Sequence, residues 1–499
     1  MEQEKATKNS YFTGDLPWVI TGRYASCNCY IRSYDEEVLS QVYKLLDCPA
    51  FKGQQVALMP DAHVGASGPC GLVATIGDYV CPEHIGVDIG CSVSVMLLDK
   101  PIPEEKYADW EHKVKQTIPS GKNINERSVI VDKDFYKFLT NGFNKYRNYW
   151  PEMLGDLPSK VDEKWISDVL KRIGMDEGYF YKSLGTIGGG NHFIEYGEDE
   201  NKEHSGVILH FGSRNFGLKV CKYWMTFTTS PMSKAERKDK EKEITAKFKE
   251  EWKKSGKSMR EFKDALKKHV TAEMDKLENQ EGFICGYLTG DLMKSYLQDM
   301  CLAQLYAEYN HIVVQNRIKD MLLIYGVKVE SSLKSVHNFI DLHDHCLRKS
   351  AIRAYEEDGL MVIPFNMKDG TAICKGKSNP MWLNSAPHGA GRSYSRGEAK
   401  RLLERATRYF ELLDAGKDVS GFSDDEVKLL TEFSMKNFKD EMKDVYSTSV
   451  CESTIDEAPF VYKSSTEIRS VMEPDTCDVL YLLKPKINIK ATDGEATAA

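Results

Sequence analysis

The sequence predicts an α+β protein: one large domain over residues 1–490, with a mixed β-sheet core, peripheral helices and a charged helical insertion at about 230–280. Three observations carry this. Short apolar runs bounded by glycine recur along the chain, as buried strands do. Charged stretches with helical periodicity fill 101–180 and 397–445. The two kinds follow one another irregularly, without an internal repeat or a linker-like stretch, which favours one α+β unit with insertions over separate domains.

Element by element, QVALMP (Gln55–Pro60), GLVATIG (Gly71–Gly77) and SVSVMLL (Ser92–Leu98) read as strands, and GVILHFG (Gly206–Gly212) as a buried one. Ser233–His269 holds 14 Lys/Arg against 8 Asp/Glu, with apolar residues at helical spacing. It reads as an exposed helical excursion whose charge either faces solvent or draws in an RNA backbone. Cys285–Val314 turns at Gly286 and Gly290 and then becomes a long amphipathic helix. Strands and loops return over Ser335–Arg396, and Ala491–Ala499 lacks anything to bury and is expected to be disordered.

Composition narrows the function. At 499 residues with 41% hydrophobic and 28% charged residues, the chain can bury a sizeable core. With 67 basic and 75 acidic residues it is not a bulk polyanion binder, so contact with nucleic acid needs a local patch. Thirteen cysteines, no apolar leader and no long apolar run imply a soluble, cytoplasmic protein with free thiols and no membrane association.

Histidines, cysteine and carboxylates beside glycines carry the chemistry. IGVDIGCSV places Asp88 and Cys91 in a glycine-bounded turn, where a thiolate can bridge two cations. GTIGGGNHFIE (Gly185–Glu195) offers amide groups to an anion and then Asn191, His192 and Glu195. His210 ends an apolar strand and Arg214 follows past a glycine, suited to bidentate phosphate contact. SVHNFID supplies His337 and Asn338; MPDAHVG supplies Asp61 and His63. Mixed N, O and S donors favour Mn²⁺, Zn²⁺ or Fe²⁺ over Mg²⁺ or Ca²⁺. In SAPHGAGRSYSR, His388 precedes Gly389, Ala390 and Gly391, whose small size would let a phosphate approach the backbone, and Arg392 and Arg396 follow. There is no P-loop, and Lys368-Asp369-Gly370 lacks the spacer of a K-x-D-G nucleophile motif. The residues alone point to a metal-assisted enzyme acting on phosphates.

In this order, VDIGC, GTIGGGNHFIE, LHFGSRNFG, HNF, HGAGRSYSR and DEAPFVYK (Asp456–Lys463) resemble the RtcB family of RNA ligases over Met59–Lys490. The resemblance implies two Mn²⁺ ions beside GTP, with Cys91 bridging them, His210 and His337 on one and Asp88 and His192 on the other. It implies that His388 becomes guanylylated. Asn191, His192, Phe193, Ile194 and Glu195 would line the nucleotide phosphates, and His337 and Asn338 would lie close by. Gly389, Ala390 and Gly391, with Tyr462 and Lys490, would complete the nucleotide site. The family's P-G-S-M loop is replaced by Pro364-Phe365-Asn366-Met367, with Thr371 where serine is usual; Phe for Gly adds bulk and bears on the fit to guanine. Asp61, Arg214, Arg392 and Arg396 are candidates for RNA or phosphate contact.

The activity so implied joins RNA 3′-phosphate or 2′,3′-cyclic phosphate ends to 5′-hydroxyl ends through an RNA 3′-pp-guanosine intermediate, in tRNA splicing or RNA repair. An accessory activator would be a further partner. A metal-dependent phosphohydrolase, a ligase using another nucleotide and an RNA-holding protein without turnover are the alternatives.

Overall fold

A computed structural model describes residues 10–128, 132–228, 234–254, 262–280 and 286–492. Most of the expected tail, 493–499, and part of the basic segment, 255–261, lie outside the described residues. Two antiparallel-dominated sheets form the frame. The larger has seven strands in the spatial order Val329–Val336, Ser92–Leu98, Ser205–Phe211, Phe193–Glu198, Cys477–Ile489, Thr371–Gly376, Leu360–Pro364. All its pairings are antiparallel. The smaller has six, in the order Asn338–Asp341, Cys346–Lys349, Cys70–Thr75, Val56–His63, Ser26–Cys29, Trp18–Thr21, with one parallel pair between Ser26–Cys29 and Val56–His63.

The glycine-bounded apolar runs thus become strands, as the sequence predicts. Ser205–Phe211 is buried along its whole length because both faces of the large sheet are covered. The predicted long helix starts at Gly290 and continues past Val314 to Ile324, burying Met293, Leu297, Met300 and Tyr306. The basic segment forms two helices, Lys234–Lys254 and Phe262–Gln280, closed on each other by Phe248 stacked on His269 at 4.5 Å with Trp252 at 5.5 Å. No described helix is long and apolar enough to cross a membrane. Among the described residues eleven cysteines form no disulfide. Cys48 is disulfide-bonded, which corrects the expectation of free thiols throughout.

At one of its crossings the chain passes from the large sheet to the small one through a single residue. Val336 ends a strand of the large sheet, Asn338 begins one of the small sheet, and His337 is the junction.

Candidate active site

Strand register gathers the predicted ligands. Phe211 and Val336 both pair with Ser92, and His210 pairs with Phe193. Cys91, His192, His210 and His337 therefore lie at one end of the large sheet, because Cys91, His192 and His337 each adjoin a strand end there and His210 stands one residue inside another. Asp88 joins them from the preceding turn, which is tied down by Gly90 N–H donating to the Asn338 carbonyl at 2.7 Å and His337 N–H to the Cys91 carbonyl at 2.9 Å. Gly188 is required beside it: a Cβ there would collide with Nδ1 of His192.

Two donor groups result, Asp88–Cys91–His192 and Cys91–His210–His337, sharing the cysteine, with donor atoms within 4.8 Å of one another in each. His192 Nε2 is 2.8 Å from Asp88 Oδ2 and 3.6 Å from Cys91 Sγ. His210 Nε2 is 3.3 Å from His337 Nε2. Burial holds His210 and His337 well below the usual imidazole range, so both are neutral, the form that ligates. Burial, then Asp88, pushes the Cys91 thiol up; a cation would reverse that by displacing the proton. Neutral imidazoles, one carboxylate and one shared sulfur fit a pair of borderline divalent ions.

His388 stands directly beside this end of the sheet, its ring 4.9 Å from that of His337. Its Nδ1 donates to Asp61 Oδ2 at 2.6 Å, and its backbone N–H to the same oxygen at 3.2 Å. The bond fixes the tautomer and leaves Nε2 as the free nitrogen. Burial lowers the imidazole's pKa, and the Asp61 carboxylate more than offsets this. Asp61 itself is 0% exposed. It lies where the Val56–His63 strand loses register with Cys70–Thr75, between Leu58 and His63. Such a bulge re-aims side chains and frees carbonyls. The Lys463 ammonium fills the gap, donating to the carbonyls of Pro60 at 3.1 Å, Ala62 at 2.7 Å and Ser33 at 2.7 Å.

A cavity of about 540 Å³ opens in front of His388. Phe193, Glu195, Pro364–Met367, Thr371, Gly389–Gly391, Tyr462, Asn488 and Lys490 line it. Glu195 is buried and accepts from Asn488 Nδ2 at 2.7 Å; burial pushes it up to about 8. Glu195 Oε1, Thr371 Oγ1 and Asn488 Oδ1 are buried without a protein partner, which suits a polar ligand. Phe365 is absorbed by turning into the apolar cluster of Ile352, Ile363 and Ala390. The turn behind it is held by Phe365 N–H to Gly370 O at 2.8 Å. Lys368 is exposed and paired with Glu441, away from any nucleophilic role.

Several predicted residues are placed otherwise than expected. Asp61 is sealed behind His388, where no phosphate reaches it. Asn338 bonds the Asp88 carbonyl at 3.3 Å and Ser350 N–H at 2.9 Å, supporting the ligand turn. Ile194 is 0% exposed in the core. Arg214 is spent on Thr186 Oγ1 at 3.0 Å and Gly121 O at 2.7 Å, bracing the glycine-rich turn. Arg392 and Arg396 do line the cavity, but they also meet carboxylates: Arg392 to Glu457 at 3.3 Å, Arg396 to Glu457 at 2.5 Å and to Asp456 at 3.0 Å. Glu457 also takes Lys490 at 3.1 Å and the Tyr462 hydroxyl at 2.7 Å. Burial alone would raise Glu457, but Lys490, Arg396 and Arg392 hold it well below the carboxylate range. Sequence reasoning missed the roles of Glu457, Lys463 and Asn488. The first two stand in the quoted DEAPFVYK motif; Asn488 lies two residues before the predicted Lys490.

The family model for "tRNA-splicing ligase RtcB" matches residues 41–491. The chain belongs to the RtcB family. It is 24% identical over 388 residues to the RNA-splicing ligase RtcB of Escherichia coli (strain K12), covering 72% of this chain and 80% of the relative. It is 23% identical over 455 residues to the tRNA-splicing ligase RtcB of Nanoarchaeum equitans, covering 79% and 84%. The Pyrobaculum aerophilum tRNA-splicing ligase RtcB is 25% identical over 403 residues, covering 69% and 74%. The RtcB match takes in the helical insertion, the whole large sheet, four of the six strands of the small one and every residue placed above at the ligand cluster and the cavity. The two candidate clusters about Cys91 suit a metal-dependent ligase.

Proposed function

We propose that this protein is an RNA ligase that seals RNA 3′-phosphate or 2′,3′-cyclic phosphate ends to 5′-hydroxyl ends, using GTP and two Mn²⁺ ions, in tRNA splicing or RNA repair. One observation carries the reading above all: a tautomer-fixed His388 faces a nucleotide-sized cavity beside two adjoining donor groups. The ions, held by Asp88, Cys91, His192, His210 and His337, would polarise phosphoryl oxygens and neutralise charge.

The chain's own residues supply the rest. Asp61 holds the proton on Nδ1, so Nε2 attacks the α-phosphorus of GTP; a P–N bond forms and pyrophosphate leaves. Asp61 then faces a ring that carries more positive charge, which it stabilises at no cost in reorganisation. An oxygen of the RNA 3′-phosphate next attacks that phosphorus, the P–N bond breaks, and the RNA 3′-pp-guanosine end is released from His388. The 5′-hydroxyl oxygen finally attacks the RNA phosphorus and GMP departs. Glu195, kept as the neutral acid by burial, offers one donor and one acceptor, which suits the base edge, since guanine carries both N–H donors and an acceptor. Lys490 bridges the two ends, 3.1 Å from Glu457 and stacked 5.3 Å from the Phe193 ring.

The test is incubation with GTP labelled at the α-phosphate and Mn²⁺. The wild-type chain becomes labelled and His388→Ala does not. Equal labelling of both, or labelling by another nucleotide in preference to GTP, overturns the reading in its present form. The same protein then joins a defined 3′-phosphate/5′-hydroxyl RNA pair.

A further inference from the structure

The cavity has two walls built by different sheets. The nucleotide reading above uses the wall of the large sheet and its Pro364–Thr371 loop. The opposite wall comes from the bulged strand of the small sheet and the turn after it, with His63, Gly65, Ala66, Cys70 and Ser350 facing the same space. The nucleotide reading gives none of these a part.

His63 is the distinctive group on this wall. Its Nδ1 lies 2.9 Å from the Asp61 backbone carbonyl. A carbonyl oxygen only accepts, so Nδ1 carries the proton, and in a neutral ring Nε2 is a bare acceptor. Burial keeps the ring neutral, lowering it to about 3, with His388 and Arg392 acting in the same direction and the Asp61 contacts opposing. Nε2 takes no hydrogen bond among the described residues, and it is not among the sealed, unpartnered atoms of the interior. A fixed, uncharged acceptor gives nothing to a phosphate. What it takes is the hydrogen of an uncharged O–H or N–H donor, and on the sugar and phosphate of an RNA end that donor is a hydroxyl.

We infer that Nε2 of His63 accepts a hydrogen bond from the 2′-hydroxyl of the 3′-terminal ribose, so that the second wall reads the sugar of the RNA end brought to His388. This rests on the ligase reading. If the nucleotide occupies the first wall, the RNA 3′-phosphate must reach the phosphorus on His388 along the second. The hydroxyl nearest that phosphate is the 2′-hydroxyl of the ribose bearing it. Gly65 and Ala66 offer little side chain to obstruct a sugar, and His63 is joined to the His388 support through Asp61 itself. The 2′-hydroxyl is the group by which a protein tells RNA from DNA at one position.

Two variants separate the ring nitrogens. His63→Asn keeps a donor for the Asp61 carbonyl and lacks the Nε2 acceptor; His63→Gln carries an acceptor near the Nε2 position. Each is given GTP, Mn²⁺ and one of two 3′-phosphate RNA strands that differ only in 2′-OH or 2′-H at the last nucleotide, and formation of the 3′-pp-guanosine end is timed. Wild type is expected to favour the 2′-OH strand about fivefold, the value of one neutral hydrogen bond. His63→Asn brings the ratio near one, and His63→Gln restores part of it. A wild-type ratio of one, or an unchanged ratio in His63→Asn, overturns the inference. So does a His63→Asn protein whose GMP adduct is lost as fully as in His388→Ala, since His63 then acts through Asp61 alone. A ratio that holds while 5′-hydroxyl joining fails moves the contact to the other strand and overturns it too. If the wild type forms no adduct with any nucleotide, the ligase reading fails before RNA is added and takes this inference with it.

Discussion

Replacing Asp61 by Asn isolates what its carboxylate does for His388. The substitution is nearly isosteric, and one oxygen, Oδ2, receives both the ring Nδ1–H and the backbone N–H of His388. Two donors on that oxygen force the amide of Asn to present its carbonyl there. Its NH₂ must occupy the place of Oδ1, which has no protein partner to accommodate or oppose it. Geometry and tautomer therefore survive, and charge is what is lost. A hydrogen bond to a charged group contributes about 1.5–3 kcal/mol, against about 1 kcal/mol for a neutral one. The charge matters most as the attacking ring becomes cationic, so the difference of about 0.5–2 kcal/mol should slow formation of the GMP adduct by roughly 2- to 30-fold. Asp61 does not line the cavity, so the GTP concentration at half-maximal rate should stay within about twofold. The assay is single-turnover labelling with α-labelled GTP over a range of concentrations. A rate within twofold of wild type refutes the reasoning, and so does a loss that appears wholly as weaker GTP binding.

Two further outcomes follow from the ligand cluster and the cavity. His210→Ala removes one donor of one group and should cost one Mn²⁺ per chain, whereas Cys91→Ala removes the shared donor and should cost both. Metal analysis after dialysis decides, and equal retention by the two variants refutes the bridging role. Glu195 is held near 8 when folded, above its ordinary value, so the native state keeps a proton that the unfolded chain has released. Unfolding in that window releases the proton, and stability must fall as pH rises from about 5 to 8. Glu195→Gln should flatten the Tm-against-pH curve there and melt higher than wild type at the alkaline end. Parallel curves for the two proteins, measured without nucleotide, would refute the assignment.

The strand-end groups were legible singly as histidines and a cysteine beside glycines or strand ends, and as one ligand set only through the family resemblance. A buried apolar run that stops at a histidine or a cysteine marks a sheet end, and antiparallel register brings such ends together. Cys91 and His192 stand just before buried strands and His210 one residue short of the end of another, whereas His337 follows the largely exposed Val329–Val336 strand and shows no such mark. Arg392 and Arg396 were not legible. Their carboxylate partners, Asp456 and Glu457, lie about sixty residues on, and nothing local to RSYSR shows that the guanidiniums are already engaged. Asp61 was misplaced for a similar reason. Its direction depends on a bulge that only the strand pairing reveals, and its burial on a lysine four hundred residues away.

The glycines behind His388 change meaning with this. Their small size suggested a backbone that lets a phosphate come close. The structure gives them a different neighbour. Gly391 has φ +72°, and a Cβ there would strike the Asp61 carbonyl, while one on Gly389 would meet the Pro364 carbonyl at 2.7 Å. Asp61 belongs to the small sheet and Pro364 to the large one. The loop is thus pressed between the two sheets, with backbone against backbone on both sides, and His388 rides on that clamp. A nucleophile that must meet a phosphorus held by residues of one sheet, while its tautomer is set by a carboxylate of the other, needs such a seat. Side chains at 389 or 391 would separate the sheets before they touched any phosphate. The small residues serve the alignment of His388 first, and the approach of substrate through it.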